Sequence, residues 1–346
     1  KFVPELKHTA GSLAIQLQAT LEGLGDLPCT GCSSLSEAQH GDITFMVNAK
    51  YAKEWKNSNA SIGIIKHGVE VEGHDASARA LLRVDNPELA IARCLELFLL
   101  ECTQPAIGIH PSACVDSTAT IGEHVRIGPG VVVGPRTRID NEVTLEANVF
   151  IGNDCEIGTQ TELRSGVSVA HHCTVGSHCL LHANVSIGAD GFGYCLDEKK
   201  SRLMKMEHIG SVVIGDHVDI GVSTCIDRGK FGATKIGNGT KMDNLVQIGH
   251  NVQIGKNCVL AAATGIGGSA RIGDWVQIGA QVGIAPHCKV GNAAKIGAKS
   301  GVMHDIPAGE QWLGVPACNM KDMLRQWVAT RKMPKILAKF GKELDI

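Results

Sequence analysis

Aromatic residues are scarce in this 346-residue sequence: seven Phe, four Trp and two Tyr, together 4%. That scarcity excludes a thick globular core built on large rings. Long apolar runs are missing as well. The longest candidate, Leu95 to Leu100, falls far short of the ~20 residues that span a bilayer. Neither sign of charge dominates, since 33 Lys and Arg face 35 Asp and Glu for a net charge of -2. A general polyanion binder is therefore excluded, and no nucleic-acid partner is expected. The opening residues, KFVPELKHTA, lack a charged start followed by an apolar stretch and a small-residue cleavage site. No secretory signal is expected, and the expected location is cytoplasmic. An apolar fraction of 44% argues against a disordered tail, and the length allows two domains.

Cysteine and glycine, by contrast, are plentiful, at 13 and 41 residues. Position argues against disulfides or metal for most of the cysteines. Cys155, Cys173, Cys179, Cys258 and Cys288 all take the fifth place of a six-residue repeat, where sibling repeats hold Val, Ala or Thr. Cysteine there acts as a small hydrophobe. Cys29 and Cys32 form a lone CTGC with no second pair, so reduced thiols are expected and no metal site.

From Ile109 an aliphatic residue returns every six positions through Val115, Ile121, Ile127 and onward to Ile187. The series reappears at Ile214, Ile220 and Ile226, and after a short insertion runs without a miss from Ile236 to Val302. Units such as IGEHVR and IGNDCE, with Gly often second, mark a parallel β-helix. The first and fifth residues face inward and places two to four turn the corner. Three faces close a coil of roughly 18 residues, stacked at the strand spacing of ~4.8 Å. Residues 188–213 and the GKFGAT string near 229–234 cannot continue the tube and must loop out, as functional excursions do.

Residues 1–105 show no repeat. ITFMV and IGIIK read as strands, AKYAKEWKN and PELAIARCLELFLL as helices, giving a small α/β domain. The β-helix is assigned to residues 106–308 and a C-terminal helical extension to 309–346. From Asn319 the extension reads as helix interrupted near Pro334, with seven Lys or Arg against three Asp or Glu. It is either a solvated cap that supports a trimer or a basic dock for an acidic protein.

Fifteen histidines make any single one easy to over-read. His124, His172, His178, His217 and His287 fall at the fourth place, and His171, His250 and His304 at the third, so a corner position selects nothing by itself. Coil arithmetic is firmer. Gly268 follows His250 by eighteen residues and belongs one coil above it, and Pro286 with His287 belongs one coil higher still. Asp243, Asn244 and Gln247 are placed on the preceding turn and face. An imidazole base beneath a glycine N–H is what acyl transfer to an amine requires. A groove between trimer neighbours would accommodate an extended acyl chain.

The strings MDNLVQIGHNVQIG, GIGGSARIG and APHCKVG, together with ITFMVNAKY, GADGFGY and CIDRGKFGATKIGNG, resemble the UDP-3-O-(3-hydroxyacyl)glucosamine N-acyltransferase family of lipid A biosynthesis over nearly the whole chain. The resemblance implies a left-handed β-helix and a homotrimer. It implies transfer of a 3-hydroxyacyl chain from acyl carrier protein to the 2-amine of UDP-3-O-acylglucosamine. His250 would be the general base, Gly268 the oxyanion-hole amide, and His287 a second imidazole assisting the donor. Asp243, Asn244 and Gln247 would line the sugar and acyl pocket. Phe45 and Tyr51 would sandwich the uracil ring with Asn48 nearby, although Phe45 in a strand also suits ordinary core packing. No bound cofactor is implied; the acyl-phosphopantetheine of the carrier protein is a co-substrate, and its natural dock is the basic helix. Two other catalytic readings use the same solenoid. A sister enzyme would acylate a hydroxyl or use acetyl-CoA, and a zinc hydratase of the γ-carbonic anhydrase type would need a His pair five apart, a spacing absent here. The third alternative, a non-catalytic scaffold, leaves the loops and the His250–Gly268 stack unexplained.

Overall fold

The computed structural model describes residues 8–99 and 104–343, with side chains to Ala338. The stretch 1–7 read for a signal, the end of the apolar run at Leu100 and residues 344–346 of the extension lie outside the described residues. The chain divides into two compact units, Lys1–Thr103 and Gln104–Ile346.

The first unit is a five-stranded sheet in the order Thr20–Gly23, Ala80–Val84, Ile62–Lys66, Asp42–Met46, Gly31–Cys32. Only the first pairing is antiparallel. Ile43, Ile62, Ile64, Ala80 and Leu82 on one face and Met46, Ile65 and Leu81 on the other are fully buried, which fits strands covered on both sides. The helix Pro87–Leu97 packs on the two central parallel strands, started by the Asn86 side chain accepting from the Leu89 N–H and by proline in its first turn. Strands Thr20–Gly23 and Ala80–Val84 and the helix Ala10–Gln16 add to the elements expected from sequence.

The second unit is a β-helix with parallel faces of nine, twelve and ten strands; the twelve-stranded face closes on the antiparallel strand Cys318–Asn319. Successive strands on a face pair eighteen residues apart, for instance Gln247 with Gly265 and Gly265 with Gly283. The aliphatic first place and the small fifth place together form one continuous core from Val125 to Ala317. The five repeat cysteines are buried in it and free, as expected of small hydrophobes.

The fourth place of nearly every repeat is left-handed, with φ between 55° and 65° at His124, His172, His178, His217 and His287. Asn, Asp and His adopt this region more readily than other side chains, so the corner histidines are there for the backbone's sake. The third place has its own logic. The N–H groups of Glu123, Val222, Lys256 and Asp274 donate to side-chain oxygens of Asn141, Asn244, Asp274 and Asn292 one coil on, at 2.7–2.9 Å. A polar third residue thus caps the coil below it.

Both interruptions leave the tube as expected. Residues 190–210 form an excursion with its own antiparallel hairpin, Tyr194–Asp197 against Arg202–Lys205. The second insertion lies between strands Cys225–Asp227 and Ala233–Ile236. At the far end, strand Gln311–Leu313 still pairs with the coil at Lys295–Ile296, so the tube passes the boundary expected at 309. The break expected near Pro334 does not occur: one helix runs from Met320 to Glu343 with Pro334 inside. Proline removes a single backbone bond there, and the helix formers Leu, Lys, Arg, Met and Ala flank it on both sides.

Candidate active site

Each coil has three corners, and the one between the ten- and nine-stranded faces gathers the chemistry. His250 turns this corner between Gln247–Ile248 and Gln253–Ile254. Gly268 sits directly above, since Ile248 pairs with Ile266 and the Ser269 N–H donates to the His250 carbonyl at 2.8 Å. One coil further, the His287 N–H donates to the Gly268 carbonyl at 3.1 Å. The expected stack of His250, Gly268 and His287 therefore exists. Together with Asp190, Gly191, Phe192, Tyr194, Lys205, Asp227, Gln247 and Pro286 it lines a cleft of about 720 Å³.

Two features of the stack are chemical. The Gly268 N–H donates to no group among the described residues. The reason is the third-place rule: the residue that would cap it is Pro286, which has no acceptor side chain. Ala262 is free for the same reason, yet the residue below it is Asn244 rather than an imidazole. Second, a Cβ on Gly268 would stand 2.7 Å from His250 Nε2, so only glycine leaves room for the ring. The His250 Nδ1 lies 3.2 Å from Asn251 Oδ1, an acceptor, which assigns the ring proton to Nδ1 and leaves Nε2 as the basic nitrogen. Asn251 is itself held, accepting from the Lys230 N–H at 2.8 Å.

Gln247 lines the cleft. Asp243 and Asn244 do not. They turn the preceding corner, between the twelve- and ten-stranded faces, and within one subunit stand apart from His250. Asn244 caps the Val222 N–H at 2.7 Å, and Asp243 accepts from the Asn244 N–H at 2.8 Å. In the first unit, Phe45 is half-buried on strand Asp42–Met46 and packs against the core, while Tyr51 is 48% exposed on the short helix Ala49–Ala52. Asn48 caps that helix, its side chain accepting from the Lys50 N–H at 3.0 Å.

The excursion supplies residues that sequence reading missed. The His208 ring meets the His250 ring edge-on, with centroids 5.1 Å apart. Its Nδ1 donates to the Met206 carbonyl at 2.9 Å and its Nε2 is buried without a partner. Gly191 lies over both rings, and a Cβ there would come within 2.8 Å of His208 Nε2 and 3.0 Å of His250 Cδ2. Asp190 pairs with Lys205, which holds its carboxyl below the usual carboxylate range. Phe192, 87% exposed, and Tyr194 meet at 5.2 Å by the same cleft. The neck of the excursion is tied by buried Arg228, whose guanidinium donates to the carbonyls of Gly188, Gly210 and His171 and lies 2.7 Å from His171 Nε2. Burial, and then this guanidinium, push the His171 imidazole down. The available signal was the string CIDRG at the second interruption, where charged residues replace the regular repeat.

The CTGC cysteines sit in the first unit, where burial pushes the thiols of Cys29 and Cys32 up to about 12. Thiols this reluctant to ionise are poor redox nucleophiles.

The profile of the family described as UDP-3-O-(3-hydroxymyristoyl) glucosamine N-acyltransferase, LpxD, matches residues 26–97. That of the bacterial transferase hexapeptide (six repeats) matches residues 118–153 and 233–268. The chain is 44% identical over 346 residues to the UDP-3-O-acylglucosamine N-acyltransferase 1 of Francisella tularensis subsp. tularensis, covering 99% of each chain. It is 44% identical over 260 residues to the UDP-3-O-acylglucosamine N-acyltransferase of Methylacidiphilum infernorum, covering 75% of this chain and 72% of the relative. The enzyme of that name from Coxiella burnetii is 38% identical over 266 residues, covering 75% of this chain and 74% of the relative. With its likeness to these enzymes sustained from end to end, the chain belongs to the UDP-3-O-acylglucosamine N-acyltransferase family and is an N-acyltransferase.

Proposed function

We propose that the enzyme transfers a 3-hydroxyacyl chain from acyl carrier protein to the 2-amine of UDP-3-O-acylglucosamine, yielding UDP-2,3-diacylglucosamine for lipid A. The observation that carries this reading is the unpaired Gly268 N–H directly above the His250 ring. The amine nitrogen bonds to the thioester carbonyl carbon as its proton passes to His250 Nε2. The carbonyl oxygen gains charge and accepts the Gly268 N–H. The C–S bond then breaks, and the departing thiolate takes a proton from the imidazolium. His287, one coil above Gly268, stands where it can assist the donor. No resident cofactor is called for, because the phosphopantetheine arrives with the carrier protein. Phe45 and Tyr51, with Asn48, are assigned to the uracil ring.

The working form is proposed to be a cytoplasmic homotrimer. Among the described residues no helix is long and apolar enough to cross a membrane. The corner that holds Asp243 and Asn244 also exposes Val222 and Leu245, and Leu245 occupies the left-handed fourth place at φ 60°. Leucine at that backbone position costs about 1–2 kcal/mol relative to a right-handed one. Covering by a second copy accounts for an exposed leucine in so strained a place, and it would bring Asp243 and Asn244 to the neighbour's cleft. The basic helix Met320–Glu343 is the assigned dock for the acidic carrier protein.

The test is direct: purified enzyme, 3-hydroxyacyl carrier protein and UDP-3-O-acylglucosamine, with products read by mass spectrometry. N-acylation is expected, with no turnover when the amine is already acetylated. Acylation of a sugar hydroxyl, use of acetyl-CoA, or stoichiometric zinc in the purified protein would overturn the reading.

A further inference from the structure

Asp227 ends the strand Cys225–Asp227, whose register sets Cys225 beside Gln247 and Ile226 beside Ile248. Asp227 therefore lies next to Gly249, one rung below the His250 corner. On its other side it pairs with Ala189, where the excursion leaves the tube. It shares the cleft with His250 and accepts a hydrogen bond from Gln247 Nε2 at 3.0 Å.

A partly desolvated carboxylate is expected to have a cation at hand. Among the described residues Asp227 has no ion pair. Lys205 is turned to Asp190 and Glu207, and Arg228 points away to His171 and backbone carbonyls. Burial pushes the Asp227 carboxyl up, while Gln247 and the imidazoles of His250 and His208 pull it down; Asp190 adds a weaker upward push. The groups facing Asp227 are thus a neutral amide, two imidazoles and a carboxylate already paired. The direct partner of His250, Asn251, is neutral, so it orients the ring and contributes no charge.

We propose that Asp227 is a positioning residue for acyl transfer: its carboxylate, one rung below His250 on the same corner, balances the imidazolium formed when His250 takes the proton of the attacking amine. The proposal rests on His250 as the base. A carboxylate beside an imidazole favours the protonated ring. Removing its charge must therefore both slow the step that creates the imidazolium and move the acid limb of the pH–rate profile to lower pH.

The experiment measures kcat and KM against pH for wild type, Asp227→Asn, Asp227→Glu and His250→Ala, with thermal midpoints recorded for each. Asp227→Asn is expected to lower kcat roughly 10- to 100-fold, to leave the KM for both substrates within about threefold, and to move the acid limb down in pH, with Asp227→Glu recovering part of both effects. An Asn variant with an unmoved acid limb, or one that raises KM alone, overturns the proposal. A His250→Ala enzyme that retains turnover overturns the base reading instead, so the two failures are told apart. Loss of folding in Asp227→Asn, read as a collapsed thermal midpoint while Asp227→Glu stays folded with a wild-type profile, would assign Asp227 to structure and also end the proposal.

Discussion

The Gly268 α-carbon lies so close to the His250 ring that a methyl group on it would stand 2.7 Å from Nε2. The atom displaced would be the basic nitrogen itself. Gly268→Ala is therefore expected to leave the solenoid folded, since φ is not left-handed at 268, while lowering kcat by about 10²-fold or more by pushing the imidazole aside. Steady-state kinetics alongside circular dichroism checks this. An alanine variant with wild-type turnover would show that His250 does not need the place beneath Gly268 that only glycine leaves open.

His250→Ala is expected to lower kcat by about 10²–10⁴-fold with UDP-sugar binding intact. The ring is half-buried and its one side-chain bond goes to Asn251, which keeps its Lys230 partner when His250 is removed. Binding by calorimetry and turnover by mass spectrometry separate the two effects.

What the sequence made legible follows from the physics of a stacked coil. The period of six placed Ile248, Ile266 and Ile284 in the core, and with them the vertical order of His250, Gly268 and His287. Nearness in sequence does not bring Asp243 to His250 within one subunit. Seven residues along a coil cross a whole face, so Asp243 and His250 turn different corners. His208 was invisible for the opposite reason. It is 42 residues from His250 and off the repeat, brought back where Arg228 and the backbone bonds of Ile209 and Gly210 to Lys230 and Gly229 tie the excursion to the tube. No period encodes where such a loop returns.

Phe45 and Tyr51 differ in what each substitution disturbs. Phe45 packs partly against the buried core of its unit, so Phe45→Ala should lower the melting temperature as well as raise the KM for the nucleotide sugar. Tyr51 is exposed, and Tyr51→Ala should raise that KM about tenfold with the melting temperature unchanged. An unchanged KM in Tyr51→Ala would tell against a uracil sandwich.

The thiols should sort by environment. Cys29 and Cys32, pushed up to about 12, hold a thiolate fraction of roughly 10⁻⁴ at pH 8. Cys114 and Cys195 are exposed. Alkylation at pH 8 followed by peptide mass mapping should label Cys114 and Cys195 first, with Cys29 and Cys32 reacting only after denaturation. Rapid labelling of the CTGC pair in the folded enzyme would revive a redox or metal role for it.

Leu245 is 63% exposed at a left-handed corner position, one coil above another exposed aliphatic residue of that corner, Val222. If a second copy covers this corner, Leu245→Asp buries a charge in the interface without touching the tube's own core. Burying an unpaired carboxylate costs several kcal/mol, enough to dissociate an assembly of moderate affinity. Sedimentation should then show single subunits at concentrations where the wild type forms the proposed trimer. Turnover should fall with them, because Asp243 and Asn244 would no longer face a neighbour's His250. A trimeric and fully active Leu245→Asp enzyme would place the interface elsewhere.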